Sequence, residues 1–181
     1  MDEEKLREIR TGGQQVFDGR LLKVFRDEIT LPNGHAGVRE YIRHNGAVAI
    51  VAMDDSGRII MERQFRYPVD GVISEIPAGK VDGPEDRLLA AKRELMEETG
   101  YEADNWESLG DYYPSAAYTS ERLTLYLATG LHRGEQKLDE DEFLNWQFVP
   151  LDEVVEEIMA GGIPDGKTQA AVLKAALLLG K

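Results

Sequence analysis

The sequence predicts an α/β (α+β) fold in which helices pack against a mixed sheet. Three observations lead there. The continuous apolar run Ala47 to Met53 ends at Asp54-Asp55-Ser56-Gly57 and is followed by Arg58 to Arg66, which reads as a buried strand and its hairpin partner. The stretch Glu85 to Thr99 is rich in helix formers, with Pro84 near its start and Gly100 just past its end, the usual asymmetry of helix boundaries. Strand-like runs at Arg122 to Thr129 and Leu144 to Val149 then give way to two more helices. These are Leu151 to Ala160, stopped by Gly161-Gly162, and the Ala- and Leu-rich Lys167 to Leu179.

Upstream of the first buried strand, the pattern from Gln15 to Arg43 is strand-like. Val16 to Arg20 has turn character, Leu21 to Leu31 mixes apolar and charged residues, Pro32-Asn33-Gly34 supplies a turn, and Gly37 to Ile42 returns. This predicts an N-terminal hairpin over residues 1–46, followed by the main domain over 47–181. The chain shows no internal repeat, low-complexity tract or interdomain linker.

A length of 181 residues suits one globular domain with a small appendage and is enough to bury a real core. The apolar stretches are far too short to span a bilayer, and Met1 to Arg10 lack the apolar centre of a secretory signal, so a cytoplasmic location is expected. With no cysteine there is no disulfide framework, thiolate nucleophile or thiolate zinc site. Any metal must be held by oxygen or by histidine. His35, His44 and His132 are scattered without zinc spacing, which leaves oxygen. A net charge of -13 argues against a nucleic-acid backbone as partner, although a small phosphorylated ligand can still bind where cations neutralise the site.

On the Glu85 to Thr99 helix each residue advances about 100°, so Glu94 and Glu98 lie roughly 40° apart and Glu97 roughly 60° to the other side. Three carboxylates share one face. Leu88 with Leu95 and Leu89 with Met96 form apolar flanks, so the acidic face is presented rigidly. Clustered carboxylates repel unless a cation compensates, and hard oxygens suit magnesium or manganese. The plainer alternative is a solvated helix face with weak ion pairs to Lys92 and Arg93.

The surrounding residues decide between these. The segment Gly79 to Tyr101, GKVDGPEDRLLAAKRELMEETGY, resembles the Nudix box at Gly79, Glu85, Arg93, Glu94, Leu95, Glu97, Glu98 and Gly100. Only Tyr101 departs, being aromatic where the family has a bulky aliphatic residue. The resemblance implies the Nudix fold, an α/β/α sandwich around a mixed sheet. It also implies Mg2+ (or Mn2+) held by Glu94, Glu98, Glu97 and the backbone carbonyl of Ala78. Arg93 would steer the glutamates, and Glu85 would support the loop and the helix start. Glu140 would be the general base for the attacking water, with Glu142 the second choice as base or an additional metal ligand and Glu97 the next.

Within the family, Gln64-Phe65-Arg66 and Ser74 to Gly79 resemble stretches of ADP-ribose pyrophosphatases and related nucleotide-sugar hydrolases. This implies a nucleoside diphosphate derivative as substrate, ADP-ribose first. Arg66 would contact its phosphates or terminal ribose, with Glu75 on the same substrate-binding side and Tyr118 a base-stacking candidate. In such hydrolases a downstream loop carries Ser-Pro-Gly before an acidic residue, and here Ala116-Ala117 stands where Pro-Gly is expected. GDP-mannose or another nucleotide sugar is therefore the alternative substrate. The N-terminal strands resemble a hairpin that dimeric relatives exchange to complete an adenosine pocket, implying a homodimer with Phe17 or Phe25 against the base. A non-catalytic nucleotide sensor of the same fold is the reading from another class. The complete set of box glutamates and the lack of a basic patch or appended DNA-binding domain count against it.

Overall fold

The computed structural model describes residues 3–137 and 143–181, which fall into two compact units. The smaller comprises the N-terminal residues up to Asn45 together with Ser115–Glu121, and the larger comprises Gly46–Pro114 and Arg122–Lys181.

The smaller unit is a three-stranded antiparallel meander rather than a hairpin. After a 3-10 turn at Glu3–Leu6 come β1 (Ile9–Asp18), β2 (Lys23–Thr30) and β3 (Ala36–Arg43). Val16 to Asp18, expected to turn, continue β1, and the reversal comes later, where the Gly19 amide donates to the Leu22 carbonyl at 2.9 Å. The physical reason is that the ladder shifts register between Arg10 and Gly12 and again between Gln15 and Phe17. Each shift flips the faces, so no clean two-residue period survives in the sequence. Gly13 is obligatory: its φ is +140°, and a Cβ there would lie 2.1 Å from the Asp27 carboxylate. Residues 115–121 join this unit as Ile42 and Thr119 form a bridge, flanked by hydrogen bonds from the Ile42 amide to Tyr118 and from the Ser120 amide to Ile42.

The larger unit holds β4 (Ala47–Met53), β5 (Arg58–Arg66), a 3-10 turn (Tyr67–Val69), β6 (Gly71–Glu75), β7 (Ala78–Lys80), α1 (Arg87–Thr99), β8 (Tyr101–Tyr112), β9 (Leu123–Arg133), β10 (Leu144–Pro150), α2 (Leu151–Met159) and α3 (Gly166–Leu178). Its sheet runs β10-β5-β4-β9-β8, with β6 on β5 and β7 on β4. It is mixed: β4 and β9 are parallel and the other pairs antiparallel. The uninterrupted apolar run of β4 follows from burial on both faces. Val48, Ile50 and Ala52 pack with Ala90, Ala91 and Leu95 of α1, while Ala47, Ala49 and Val51 pack with α2 and α3 through Val154, Val172 and Ala175. That is an α/β/α sandwich, as expected.

Two local differences matter for the site. Helix α1 starts at Arg87, capped by Asp86, whose carboxylate accepts from the Leu88 and Leu89 amides, so Glu85 belongs to the preceding turn. Strand β8 was not expected because it is an edge strand whose core-packed residues, Tyr101, Ala103, Trp106, Leu109 and Tyr112, fall at irregular spacing among polar ones. No helix is long and apolar enough to cross a membrane among the described residues.

Candidate active site

Helix α1 is anchored by Ala90, Ala91 and Leu95, all fully buried, and ends at Gly100, whose φ of +72° closes the helix through a hydrogen bond to Met96. On the rigid rod so fixed, Arg93 organises the acidic face. Its Nε and Nη2 donate to the two Glu85 oxygens at 3.1 and 3.0 Å, and its Nη1 donates to Glu94 and Glu97, each at 2.9 Å. A further bond from Nη2 reaches the Lys80 carbonyl at 3.1 Å. The hydrogen bonds with Glu85, above all, hold the guanidinium more firmly protonated than usual, and reciprocally hold the Glu85 carboxyl below its ordinary range.

The third box carboxylate is placed differently. Glu98 is only 2% exposed and its Oε2 accepts from the Ala78 amide at 3.0 Å. One residue on, Gly79 lies so close to Glu94 that a Cβ would stand 1.9 Å from the Glu94 carboxyl carbon. A Cβ there would push the Glu94 carboxylate aside, so the bare Cα of the box glycine lets β7 lie against it. Among the described residues no three carboxylate or histidine side chains converge as a preformed metal cage. Arg93 shares out Glu94 and Glu97, while the Ala78 amide takes one oxygen of Glu98. The donor set itself is all oxygen, set on one helix face against a glycine cradle, and suits a hard divalent cation.

The chain matches the NUDIX domain family over residues 43–168. It is a Nudix hydrolase. It is 43% identical over 161 residues to the methanol dehydrogenase activator of Bacillus methanolicus, covering 88% of this chain and 87% of that protein. To the ADP-ribose pyrophosphatase of Bacillus subtilis (strain 168) it is 38% identical over 171 residues, covering 93% and 92%. In fold it resembles the crystal structure of an ADP compounds hydrolase, with a TM-score of 0.83, 23% identity, and coverage of 96% and 95%. Nudix hydrolases generally use divalent metal ions, consistent with the oxygen donors on α1.

A second charged cluster of this Nudix unit lies at the junction of β5, β6 and α3. Arg66 grips Glu75 in a bidentate pair, Nε and Nη2 each donating at 2.8 Å. The Glu75 carboxylate, 2% exposed, also accepts from Lys167 at the start of α3. Lys167 donates in addition to Asp165, the α3 cap, at 3.1 Å, and the buried Thr168 hydroxyl accepts from the Ile76 amide at 3.0 Å while donating to Asp165. Burial works against the charge of Arg66, but the bonds to Glu75 outweigh it and the guanidinium is held more firmly protonated.

The remaining candidates are spread more widely. Phe25 stacks on Tyr41 in the smaller unit with centroids 5.8 Å apart, and the Arg43 guanidinium sits 4.0 Å over the Phe25 ring. Phe17 and Tyr118 are exposed in that same unit. Glu140 and Glu142 lie outside the described residues. A groove of about 290 Å³ between α1 and β8, with Met96 and Trp106 in its walls, shares only Arg93 with the carboxylate face. Sequence reasoning missed Lys167 and Thr168. The available signal was Asp165, a helix-capping residue immediately before a glycine and a lysine–threonine pair.

Proposed function

We propose that this chain hydrolyses the pyrophosphate of a nucleoside diphosphate linked to another group, ADP-ribose first, giving AMP and ribose 5-phosphate in a magnesium-dependent reaction. The observation that carries the reading is the nearness of two clusters, the Arg93-organised carboxylates on α1 and the Arg66 fork on β5, with Glu98 acting electrostatically on Arg66. Similarity to the Bacillus subtilis ADP-ribose pyrophosphatase over most of both chains supports the substrate.

Glu94, Glu97 and Glu98, with the Ala78 carbonyl, would hold Mg2+, which when bound supplies charge neutralisation for the diphosphate and acidifies water. The chain's own part begins with Arg66. Its Nε and Nη2 are spent on Glu75, which leaves the Nη1 edge to donate to a phosphate oxygen. Arg93 Nη1 holds the Glu94 and Glu97 carboxylates side by side on the face that would hold the cation. A water attacks one phosphorus, the bridging P–O bond breaks, and the proton passes to a carboxylate. Glu140 is the first choice for that acceptor, Glu142 the second and Glu97 the third.

In the smaller unit, exposed Phe17 and Tyr118 are candidate contacts for a base, and Phe25, which now stacks on Tyr41 beneath Arg43, would take one only if Arg43 moved aside. Strand β1 buries none of its ten residues, and Ile9, Val16, Phe17, Leu21, Leu22 and Val38 remain exposed. An apolar surface of this kind is the basis for a homodimer paired through these strands. The Ala116-Ala117 pair favours a second substrate reading, GDP-mannose or another nucleotide sugar.

A substrate panel tests both readings. Purified protein with magnesium is offered ADP-ribose, GDP-mannose, NADH, diadenosine polyphosphates and nucleoside triphosphates, and the products are resolved chromatographically. Cleavage of ADP-ribose to AMP at the highest kcat/KM is the expected result. Preference for nucleoside triphosphates, or no cleavage of any compound, would overturn it.

A further inference from the structure

Lys167 stands 92 positions from Glu75 in the chain, yet its ammonium reaches the same buried carboxylate that Arg66 grips. The side chain of Glu75 is 2% exposed and that of Lys167 14%, whereas that of Arg66 is 42% exposed. Of the two cations, Arg66 therefore presents far more of its charged edge to solvent. Arg66 and Lys167 face Glu75 and Asp165, with buried Glu62 beside Glu75 across the strands. Were Lys167 neutral, one guanidinium would face two carboxylates and the cluster would carry net negative charge beside the position a phosphate must take. Glu75, having lost one of its two cations, would also draw Arg66 further inward.

We propose that Lys167 is a positioning residue for substrate binding: by sharing the Glu75 carboxylate it keeps the Arg66 guanidinium turned outward and its positive charge available to a diphosphate. The neighbouring Thr168 fastens the same turn of α3 to the Ile76 amide, two residues before the Ala78 amide that holds Glu98. The start of α3, far from the box in sequence, therefore fixes the frame on which both halves of the site hang. The inference rests on the reading of Arg66 as the phosphate contact.

The test uses the full chain and two probes, ADP-ribose and inorganic pyrophosphate, titrated calorimetrically in excess chelator so that binding is read without turnover. Lys167→Met should weaken both about tenfold, the scale of one charge-assisted hydrogen bond lost. In steady-state assays with magnesium the same variant should raise KM by a similar factor with kcat within about threefold, since Lys167 touches no reacting atom. Lys167→Arg should recover most of the binding, which a merely structural role for the aliphatic stem would not require. If circular dichroism shows Lys167→Met unfolded, Lys167→Gln is read by the same criteria.

Arg66→Ala serves as the reference. If it abolishes binding while the Lys167 variants bind as the natural chain does, the inference fails and the Arg66 reading stands. A fall in kcat at unchanged KM in the Lys167 variants also overturns it. If Arg66→Ala itself binds both probes normally, the phosphate reading of Arg66 falls, and this inference with it.

Discussion

Two charged clusters, one on α1 and one where β5 and β6 meet α3, differ in balance. At the start of α3, Arg66 and Lys167 meet Glu75 and Asp165, cation for carboxylate, with Glu75 sealed from water. On α1 a single guanidinium serves Glu85, Glu94 and Glu97 with Glu98 alongside, and the Glu97 side chain is 37% exposed. A buried cluster whose carboxylates are mostly matched by cations can stand on its own contacts. A cluster with surplus carboxylates is costly until a cation joins it, and that surplus is what makes it a metal-binding candidate.

Substitutions that keep shape and change charge separate the two. Glu98→Gln should lower turnover about 10³-fold with unchanged melting temperature in chelator, because the amide oxygen can still accept from Ala78 while a ligand charge is lost. Turnover within a few-fold of the natural chain, or full activity in excess chelator, would mean that the α1 face is a solvated acidic surface. Gly79→Ala should come next, about a hundredfold in kcat/KM, as its Cβ would displace the Glu94 carboxylate from its place against β7. A crystal structure of that variant with Glu94 unmoved would refute the steric argument.

Glu75→Gln should behave oppositely. Removing the shared charge leaves two cations facing each other in a largely closed space, and the cost should be roughly 2–3 kcal/mol of folding stability, reduced from that of a fully buried pair because Arg66 is partly exposed. Urea midpoints measured in chelator check it. A stability change smaller than that of Glu98→Gln would erase the distinction between the clusters.

The two clusters also differed in how far the sequence disclosed them. The α1 site lies within one helix, so the spacing of Glu94, Glu97 and Glu98 already places three carboxylates on one face. The neighbouring glycine and arginine complete a local pattern. Strand β4 was equally plain, because burial on both faces writes a continuous apolar run, and β5 followed as its hairpin partner after the Asp54 to Gly57 turn. The α3 cluster joins residues 66, 75 and 167 through the sheet, and nothing local in a helix that begins Gly166-Lys167-Thr168 says that its lysine will meet a glutamate on β6. Strand β8 was hidden because its core-packed residues fall at irregular spacing among polar ones, and β1 because its register shifts scramble the alternation.

The smallest expected effect concerns Glu85, the carboxylate that Arg93 holds from outside the helix. Hydrogen bonding to Arg93 keeps the folded-state carboxyl below its ordinary range, so the unfolded chain takes up a proton first as pH falls. The Glu85–Arg93 interaction therefore contributes its full stability above the unfolded value, near about 4.3 for a glutamate, and loses it as pH drops through the depressed folded value. The natural chain should then exceed Glu85→Gln in urea midpoint at neutral pH, and the gap should close in acid, with both proteins measured in chelator to keep cations off the neighbouring glutamates. The gap should be modest, since the Arg93 side chain is 30% and the Glu85 side chain 20% exposed and water screens part of the interaction. A gap that is constant or widens toward low pH would show that Glu85 does not stabilise the fold through Arg93. The acidic face would then owe its order to the packing of Leu95, Ala90 and Ala91 alone, and Arg93 would be free to leave Glu94 and Glu97 without cost to the helix start.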